Sequence, residues 1–406
     1  MSDTRYDWSA DAPGPATRAR PGIFFDETLR DGIQAPHVAT PSLDQKLRLV
    51  EHMVAAGIRC ADLGFPGSGP AAAAQCQEIA RTIVASGHPI AQGYAGRAHP
   101  DDTEAICRLA QSVGVSVDAY IFVGVSPMKL YVEGWDLDTV ARSIRSSALA
   151  CRRDGVEFVL VLEDAVRCTP VILGQMYDVA IDLGVRRITL CDTVGAARPT
   201  GAEALIGWST RYFGERGHPI GFEWHGHNDR GLALINSLAA LDAGCVRVHG
   251  TVLGVGERTG NASVDQLIVN SHLDGHGSYD LLALRRYCED ASTVLGVPIP
   301  GNYPAMGSDV FKTSSGVHAS AILKAHERND VLLKDIVYSS VPAGYLGREQ
   351  EVLIDAASGA SNVKYWLAVH GREADDTAVK AVLDTAKNRS SPLSDDQIGR
   401  ILAAFA

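Results

Sequence analysis

The strongest chemical signal in the sequence is a pair of histidines in the segment Trp224-His-Gly-His-Asn-Asp229. Residues two apart on a β-strand point to the same face, so His225 and His227 project together if this segment is a strand. Two imidazoles and one carboxylate form a common ligand set for a divalent metal ion. The alternative interpretation is a pair of polar residues that merely end a strand.

A second cluster, Phe25 to Gln34, contains three carboxylates, one guanidinium and one amide. Asp26 and Thr28 share one face of the expected strand, and Asp31 lies just beyond its end. Asp31 is therefore a candidate metal ligand, with Arg30 beside it as an electrophile. The alternative is a structural ion pair between Asp26 and Arg30.

A third segment, Gly254 to Asn261, is rich in glycine and follows the last expected strand. Glycine lets the backbone approach a ligand closely, and the N-terminus of a following helix favours anions. The segment does not spell the G-x-G-x-x-G pattern, so a dinucleotide is not indicated. Taken alone, a tight turn explains it equally well.

The elements that would position these residues alternate between strand and helix. Short apolar runs predict eight strands, at residues 23–29, 60–65, 89–95, 115–123, 158–163, 187–192, 221–227 and 247–253. Helices lie between the strands, the clearest at residues 42–57, 136–155, 171–184, 201–214 and 230–244. Eight such units and polar clusters at the strand ends favour a (β/α)8 TIM barrel. A doubly wound sheet is the alternative, because periodicity does not distinguish a closed sheet from an open one.

The pattern changes after residue 290, where a mainly helical appendage is expected. We predict a disordered leader at 1–21, the barrel at 22–290, a linker or lid carrying His318 at 291–345, and a small helical subdomain at 346–406. The last helix, from Ser394, has a glutamine three residues on, which is typical of a capping box.

Composition excludes several classes of partner. The chain has 406 residues and a net charge of −11, and an acidic surface repels nucleic acid. No apolar run reaches the ~18–20 residues that span a bilayer, so we expect no membrane partner. None of the eight cysteines forms a CxxC pair, and the first residues lack the apolar core of a signal peptide. These features predict a cytoplasmic protein with reduced thiols.

Taken in order, the motifs resemble those of the DRE-TIM metallolyase superfamily, and within it the 2-isopropylmalate and homocitrate synthase branch. The matching segments are Thr-Leu-Arg-Asp-Gly-x-Gln at 28–34, Glu-Asp-Ala at 163–165, Asp-Thr-Val-Gly at 192–195, His-x-His-Asn-Asp at 225–229, Gly-Glu-Arg-Thr-Gly-Asn at 256–261 and Ser-Gly-Val-His at 315–318. Each motif is common alone, but six in this order are specific.

The resemblance implies that Asp31, His225 and His227 bind a divalent cation, either Mg²⁺, Mn²⁺ or Zn²⁺. Asn261 would lie near this ion or in its coordination shell. The 2-oxo acid would chelate the ion through its ketone and carboxylate oxygens, and Thr193 would hold the carboxylate.

The resemblance also implies the groups that handle acetyl-CoA. Arg30 would stabilise charge on the ketone or on the acetyl enolate. His318 would be the base, supported by Glu163 and Tyr338. The alternatives are a surface position for His318 and an ion pair between Glu163 and Arg167. The remaining assignments are substrate contacts at Arg30, Gln34, Arg97 and Thr193, and cofactor contacts at Gly254, Gly256, Glu257 and Asn261.

The implied reaction is a Claisen condensation of acetyl-CoA with a 2-oxo acid, followed by thioester hydrolysis, as in amino-acid biosynthesis. Thr313 and Lys129 stand where these synthases usually carry histidines, and Gly64 to Gly69 are richer in glycine than usual. Smaller walls favour an apolar or aromatic 2-oxo acid, which would give isopropylmalate or benzylmalate. The alternative is 2-oxoglutarate, with Lys129 or Arg97 pairing its far carboxylate.

Two other functions remain as alternatives. An acyl-CoA lyase of the hydroxymethylglutaryl-CoA type relies on a cysteine in a late glycine-rich loop, and no cysteine follows Cys288. A barrel that has lost activity would serve as a binding subunit, but the residues expected to carry the chemistry are intact, namely Asp31, His225, His227, Arg30 and His318. In this family the appendage often comes from the other subunit, which suggests a homodimer.

Overall fold

The structure, a computed structural model, describes residues 23–405. The predicted disordered leader at 1–21 lies outside these residues. The chain divides into two compact units, the first ending at Pro298 and the second beginning at Ile299. A helix at Leu281–Leu295 runs across residue 290, where the sequence pattern had suggested that the barrel ends.

The first unit is a closed barrel of eight parallel strands in sequence order. The strands are β1 Ile23–Asp26, β2 Cys60–Asp62, β3 Ala91–Arg97, β4 Asp118–Gly124, β5 Glu157–Glu163, β6 Arg187–Asp192, β7 Gly221–Gly226 and β8 Arg247–Gly250. Pairing between β1 and β8, with Phe24 opposite Val248, closes the sheet. The predicted TIM barrel is therefore confirmed, and the open, doubly wound alternative is wrong.

Helices connect the strands of the first unit. They are α1 Leu43–Ala56, α2 Pro70–Ala85, α3 Pro100–Val113, α4 Pro127–Glu133, α5 Leu137–Arg153, α6 Pro170–Leu183, α7 Pro199–Gly214, α8 Ala233–Asp242, α9 Val264–Leu273 and α10 Leu281–Leu295. Short 3₁₀ turns lie at Gly32–Gln34, Pro66–Ser68, Ala165–Arg167 and Val252–Gly254. The first helix shows how the sequence sets these bounds, because Ser42 and Gln45 form a capping box and Gly57 ends the helix at a φ of 96°.

The interior of the barrel combines an aromatic layer with buried charges. Phe25, Cys60, Tyr120 and Val159 pack together, and the Phe25 and Tyr120 rings stack with centroids 4.6 Å apart. Glu223 is fully buried beside this layer, and its carboxylate is bonded to Tyr120 of β4, to Arg187 and Thr189 of β6, and to His249 of β8. Within the described residues no helix is both long and apolar enough to cross a membrane.

The second unit is mainly helical, as predicted. It contains α11 Gly316–Glu327, α12 Val331–Ile336, α13 Ala360–Val369, α14 Asp376–Lys387 and α15 Asp395–Ala403, a 3₁₀ turn at Ala343–Leu346, and the paired short strands β9 Lys312–Thr313 and β10 Glu351–Val352. Its core includes Val363, Val382 and Ile398. The predicted capping box of Ser394 and Gln397 starts α15.

Candidate active site

A cavity of about 380 Å³ opens at the carboxyl ends of the barrel strands. Every strand or the loop after it contributes to the lining, and the lining residues are Glu27, Arg30, Asp31, Gln34, Asp62, Ala95, Tyr120, Phe122, Val161, Glu163, Thr189, Cys191, Thr193, His225, His227, His249, Glu257 and Arg258. Active sites of TIM barrels lie at this end of the sheet. We refer to this space as the strand-end cavity.

Asp31, His225 and His227 converge in the strand-end cavity. The Oδ2 atom of Asp31 lies 3.4 Å from His225 Nε2 and 3.6 Å from His227 Nε2, and the two Nε2 atoms are 3.2 Å apart. All three residues are buried. The sequence motifs therefore identified three side chains that the fold brings within reach of one ion.

The protonation of the two histidines follows from their other ring nitrogens. His227 Nδ1 lies 3.2 Å from the Gly260 carbonyl oxygen, which can only accept, so Nδ1 carries the hydrogen. Burial, together with the neighbouring His225, lowers the pKa of His227 to about 4. His227 is thus neutral at pH 7, and its Nε2 lone pair faces Asp31.

Two buried acceptors in this region lack a hydrogen-bond donor among the described residues. They are Asp31 Oδ1 and Asn261 Oδ1. A Cβ atom added at Gly256 would lie 2.1 Å from Asn261 Nδ2 and 3.5 Å from Asp31 Oδ1, so glycine there lets the loop pack against both. Unpaired buried acceptors are costly, and a bound cation would satisfy them. The residues present therefore fit a divalent metal ion.

Arg30 lies at the centre of a group of carboxylates. Its guanidinium donates to Glu27 at 2.7 Å and to Asp62 at 2.8 Å, and it lies 3.4 Å from Asp31 Oδ2. Burial raises the pKa of Asp31, but Arg30 and the two histidines outweigh burial and lower it. The ion pair of Asp26 with Arg30 that the sequence left open is wrong, because Asp26 instead accepts from Tyr287 and from the Thr28 amide.

Two buried residues beside His225 and His227 were not predicted from the sequence, and they are Glu27 and His249. Glu27 Oε2 lies 2.6 Å from His225 Nδ1, and Glu27 Oε1 lies 2.9 Å from His249 Nδ1. Burial alone would raise the pKa of Glu27, but His225, Arg30 and His249 outweigh it and hold the pKa well below its ordinary value. Glu27 is therefore an ionised acceptor, and His225 Nδ1 carries the hydrogen.

Glu163, the last residue of β5, and Thr193, the first residue after β6, line the same cavity. Lys129 Nζ lies 4.0 Å from Glu163 Oε1, and burial raises the pKa of Glu163 despite this lysine. Arg167 pairs with Asp164 at 2.6 Å, so the predicted alternative in which Arg167 pairs with Glu163 is wrong. The Thr193 hydroxyl accepts from the Asp164 amide at 2.9 Å.

Arg97 does not line the strand-end cavity. Its guanidinium donates to both oxygens of Asp102, at 2.7 and 3.0 Å, and its side chain is 61% exposed. The glycines of the segment 64–69 do not line this cavity either. Gly67 packs against Asp102 and Gly64 against Cys76, so they do not enlarge the space beside the metal ligands, and this argument for a bulky substrate was wrong.

The predicted cofactor segment forms the loop after β8. Asn261 donates from its backbone amide to the Gly254 carbonyl at 3.0 Å, and Glu257 lines the rim of the strand-end cavity. The exposed Gln34 lines the same rim. Arg258, a residue for which the sequence predicted no role, holds this loop by a bidentate pair with Asp229.

His318 and Tyr338 belong to the second unit and lie together there. Their rings stack with centroids 3.9 Å apart, and His318 Nδ1 lies 3.3 Å from the Thr313 hydroxyl. His318 is the third residue of α11, which places it in the first turn of that helix. Two residues of the predicted catalytic group are thus neighbours within one unit.

Comparison with known proteins identifies the family. The HMGL-like family model matches residues 22–290. A 2-isopropylmalate synthase of Nitratidesulfovibrio vulgaris is 30% identical over 379 residues, covering 90% of this chain and 69% of that protein. A 2-isopropylmalate synthase of Sulfolobus acidocaldarius is 27% identical and covers 90% of both chains.

Solved structures match the fold. The hydroxymethylglutaryl-CoA lyase of Pseudomonas aeruginosa superposes with a TM-score of 0.56 at 19% identity, covering 68% of this chain and 94% of that chain. The HMG-CoA lyase of Bacillus subtilis gives a TM-score of 0.59 at 17% identity, with 70% and 97% coverage. The ordered motifs, the barrel and these relatives agree. The chain therefore belongs to the HMGL-like family, in the 2-isopropylmalate synthase branch of the DRE-TIM metallolyases, a branch of acyltransferase-type enzymes.

Proposed function

We propose that this chain condenses acetyl-CoA with a 2-oxo acid and hydrolyses the resulting thioester, which gives a 2-alkylmalate-type product and CoA. The observation that carries the proposal is the convergence of Asp31, His225 and His227 in the strand-end cavity of a chain from the synthase branch. In this reaction the acetyl methyl carbon bonds to the ketone carbon, and water then cleaves the thioester.

Asp31, His225 and His227 hold one divalent cation in this proposal, with Asn261 beside it. Mg²⁺, Mn²⁺ and Zn²⁺ all remain candidates, since imidazole suits zinc while carboxylate and carbonyl oxygens suit magnesium and manganese. Support comes from the two facing Nε2 atoms and from the buried acceptors that lack donors. When bound, the cation supplies a Lewis acid that polarises the ketone and stabilises the developing alkoxide.

Arg30 and Thr193 orient and stabilise the 2-oxo acid. The Thr193 hydroxyl accepts from the Asp164 amide, so its own hydrogen is available to donate to the substrate carboxylate. Arg30 faces the same cavity and keeps its charge, because its pKa is raised by Glu27, Asp62 and Asp31 in spite of burial. A fixed guanidinium stabilises negative charge that develops on the ketone oxygen or on the enolate.

His318 is our proposed base for the acetyl methyl group, supported by Glu163 and Tyr338. The methyl group of a thioester is a weak carbon acid, so its deprotonation needs a positioned base. In this proposal His318 Nδ1 donates its hydrogen to the Thr313 hydroxyl oxygen, 3.3 Å away, so the lone pair of Nε2 takes the proton. This assignment rests on the family motif at 315–318.

We also propose a homodimer in which the appendage contacts the partner subunit. This proposal rests on the resemblance to the synthase family.

The substrate class that we favour is an apolar or aromatic 2-oxo acid. The cavity wall includes Ala95, Tyr120, Phe122, Val161 and Cys191. An apolar wall stabilises an apolar substituent by burying its surface, at about 25 cal/mol for each Å².

The 2-oxoglutarate alternative has less support. Its far carboxylate would need a cation, and the two candidates already have partners. Arg97 is bonded to Asp102, and Lys129 pairs with Glu133 at 2.8 Å. Recruiting either residue would break an existing ion pair.

We also propose that the protein is cytoplasmic and that it is neither a lyase nor a binding subunit without activity. All eight cysteines are free thiols, which supports a reducing, cytoplasmic location. The absence of any cysteine after Cys288 in the sequence argues against the lyase mechanism. The intact ligand set argues against a binding subunit without activity.

A substrate panel tests the proposed reaction. The purified chain is mixed with acetyl-CoA and Mg²⁺, Mn²⁺ or Zn²⁺, and 3-methyl-2-oxobutanoate, phenylpyruvate or 2-oxoglutarate is added. CoA release is followed with a thiol reagent and products are identified by mass spectrometry. We expect a 2-alkylmalate from an apolar acid, and none from the Asp31→Asn variant.

Three other results would contradict the proposed substrate, the proposed reaction or catalytic activity itself. CoA release with 2-oxoglutarate alone would move the chain to homocitrate synthesis. Cleavage of hydroxymethylglutaryl-CoA without condensation would identify a lyase. Metal binding without any turnover would favour the binding subunit.

A further inference from the structure

Glu27 makes a closer contact with a proposed metal ligand than any group in the proposed catalytic set. Its Oε2 atom lies 2.6 Å from His225 Nδ1, and its side chain is 3% exposed. It follows β1 directly, where the Glu27 amide donates to the Gly250 carbonyl of β8. The contact is thus set by the pairing that closes the barrel.

The other Glu27 oxygen fixes the orientation of the carboxylate. Oε1 accepts from Arg30 Nη2 at 2.7 Å and from His249 Nδ1 at 2.9 Å. His249 is held in turn by Glu223, whose Oε2 lies 2.9 Å from His249 Nε2. Because both oxygens are engaged, Glu27 cannot rotate away from His225 without losing three bonds.

We propose that Glu27 is the positioning residue that holds His225 ready to bind the cation. The carboxylate accepts from Nδ1, so the hydrogen stays on Nδ1 and the lone pair of Nε2 points toward Asp31. A carboxylate behind a ligating histidine fixes the ring tautomer and makes the ligating nitrogen more basic. His227 obtains the same orientation from a backbone carbonyl, that of Gly260. This inference rests on the proposed cation site.

A second cation bound by Glu27, His225 and His249 is the competing interpretation, because their ligand atoms also lie close together. That arrangement would displace the hydrogens from both Nδ1 atoms. It would also place a second positive ion beside Arg30, which already occupies Glu27 Oε1. The hydrogen bonds and the arginine therefore favour the positioning role.

The Glu27→Gln variant tests the positioning role, and the number of ions bound by the wild-type chain tests the competing interpretation. Arg30 can only donate, so the variant's amide oxygen must face Arg30 and its NH₂ group must face His225. An NH₂ group forces His225 Nδ1 to accept, which moves the ring hydrogen to Nε2 and blocks the ligating atom. Glu223→Gln is the matched control, because Glu223 is also a fully buried barrel glutamate but contacts His249 and not His225.

The experiment titrates Mn²⁺ into the chelator-treated full chain by calorimetry, with melting curves of each metal-free variant. We expect Glu27→Gln to weaken Mn²⁺ binding by about 10–100-fold. Glu223→Gln should weaken it less, because Glu223 reaches His225 only through His249 and Glu27. Equal Mn²⁺ affinity in Glu27→Gln and wild type overturns the inference. An equal loss in both variants also overturns it, since the effect would then come from general damage to the barrel interior.

A second measurement needs no folded variant. With ¹⁵N-labelled histidine and Zn²⁺ bound to the wild-type chain, we expect an NMR signal from a hydrogen on His225 Nδ1. A hydrogen on Nε2 would overturn the inference while leaving the proposed reaction standing. Wild-type protein that binds no cation would overturn both, and two bound ions for each chain would favour the competing interpretation.

Discussion

At the scale of single residues, the strand-end cavity depends on one guanidinium that neutralises several carboxylates. Arg30 contacts Glu27, Asp62 and Asp31. Burial raises the pKa of Asp62 to about 6 even though Arg30 opposes the shift. Removing the guanidinium would take one hydrogen-bond donor from Glu27 and one from Asp62. Both catalysis and stability should therefore depend on the shape of this side chain as well as on its charge.

We predict that Arg30→Lys lowers kcat by about 10²-fold, because a point charge replaces a fixed guanidinium beside the reacting oxygen. It should also cost about 1–3 kcal/mol of unfolding free energy, since one carboxylate loses its donor. Steady-state CoA release and denaturant unfolding measure the two effects. Arg258→Lys, at the rim of the same cavity, is the control. A larger loss of kcat in the control than in Arg30→Lys would refute the role of Arg30.

The buried carboxylate of Glu223 should make the free energy of unfolding depend on pH. Burial raises the pKa of Glu223, but His249, Arg247 and Arg187 outweigh it and lower the pKa from 4.5 to about 2. A depressed carboxyl pKa contributes stability that is present above about pH 4.5 and is lost as the pH falls toward 2. The contribution is on the order of 3 kcal/mol.

The Glu223→Gln variant should therefore be less stable than wild type at about pH 7, and the difference should shrink below about pH 4.5. Urea unfolding followed by circular dichroism across this range measures it. A difference that stays constant or widens as the pH falls would contradict the assignment of Glu223 as an ionised interior group.

Residue types and spacing identified part of the site but not its supporting layer. His225 and His227 were predictable because they lie two residues apart at the carboxyl end of β7, which ends at Gly226. The contact of Glu27 with His249 was not, because the two residues are 222 positions apart and meet only when β1 pairs with β8. Long-range strand pairing in a closed sheet leaves no periodic signal in the sequence.

At the scale of secondary structure, strand ends were predictable and the function of glycine was not. Polar residues after apolar runs marked the carboxyl ends of the strands, where the cavity lies. The glycines of the segment 64–69 predict extra space beside the substrate, yet Gly67 packs against Asp102. A glycine that allows close backbone packing and one that opens space look identical in sequence.

The loop after β8 gives a prediction at this scale. Gly256 has a φ of 150°, and an added Cβ would meet the Asn261 amide. Gly256→Ala should displace Asn261 and weaken Mn²⁺ binding by about 10–100-fold. Gly231→Ala is the control, because Gly231 has a φ of 69° and nothing within 4 Å of its added Cβ. The control should show only the backbone strain of about 1–2 kcal/mol. Equal Mn²⁺ affinities in the two variants would count against a role for the loop.

At the scale of the whole molecule, the proposed ligands come from one unit only. Asp31, His225 and His227 all lie before Pro298. Ligand that binds only the folded state stabilises it, by about 2.7 kcal/mol at one hundred times Kd. We therefore predict that Mn²⁺ raises the melting temperature of the barrel transition in scanning calorimetry. Asp31→Asn should abolish the shift, and a shift that survives this change would show that Mn²⁺ binds elsewhere.

The barrel fold was predictable to the level of element count and order, since eight strand–helix units are visible in the pattern. Closure was not, because only the contact of the first strand with the last distinguishes a barrel from an open sheet. The base role of His318 is likewise carried by a family motif and by no spacing rule. Its neighbour Tyr338 is 20 positions further on in a different segment.

Anomalous diffraction from a crystal of the full chain grown with Mn²⁺ and 3-methyl-2-oxobutanoate tests the central claim most directly. We predict one manganese peak for each chain, within about 2.0–2.3 Å of Asp31 Oδ2, His225 Nε2 and His227 Nε2. The keto acid should lie against Ala95 and Phe122. A peak between Glu27, His225 and His249, or the absence of any peak among Asp31 and the two histidines, would contradict the account.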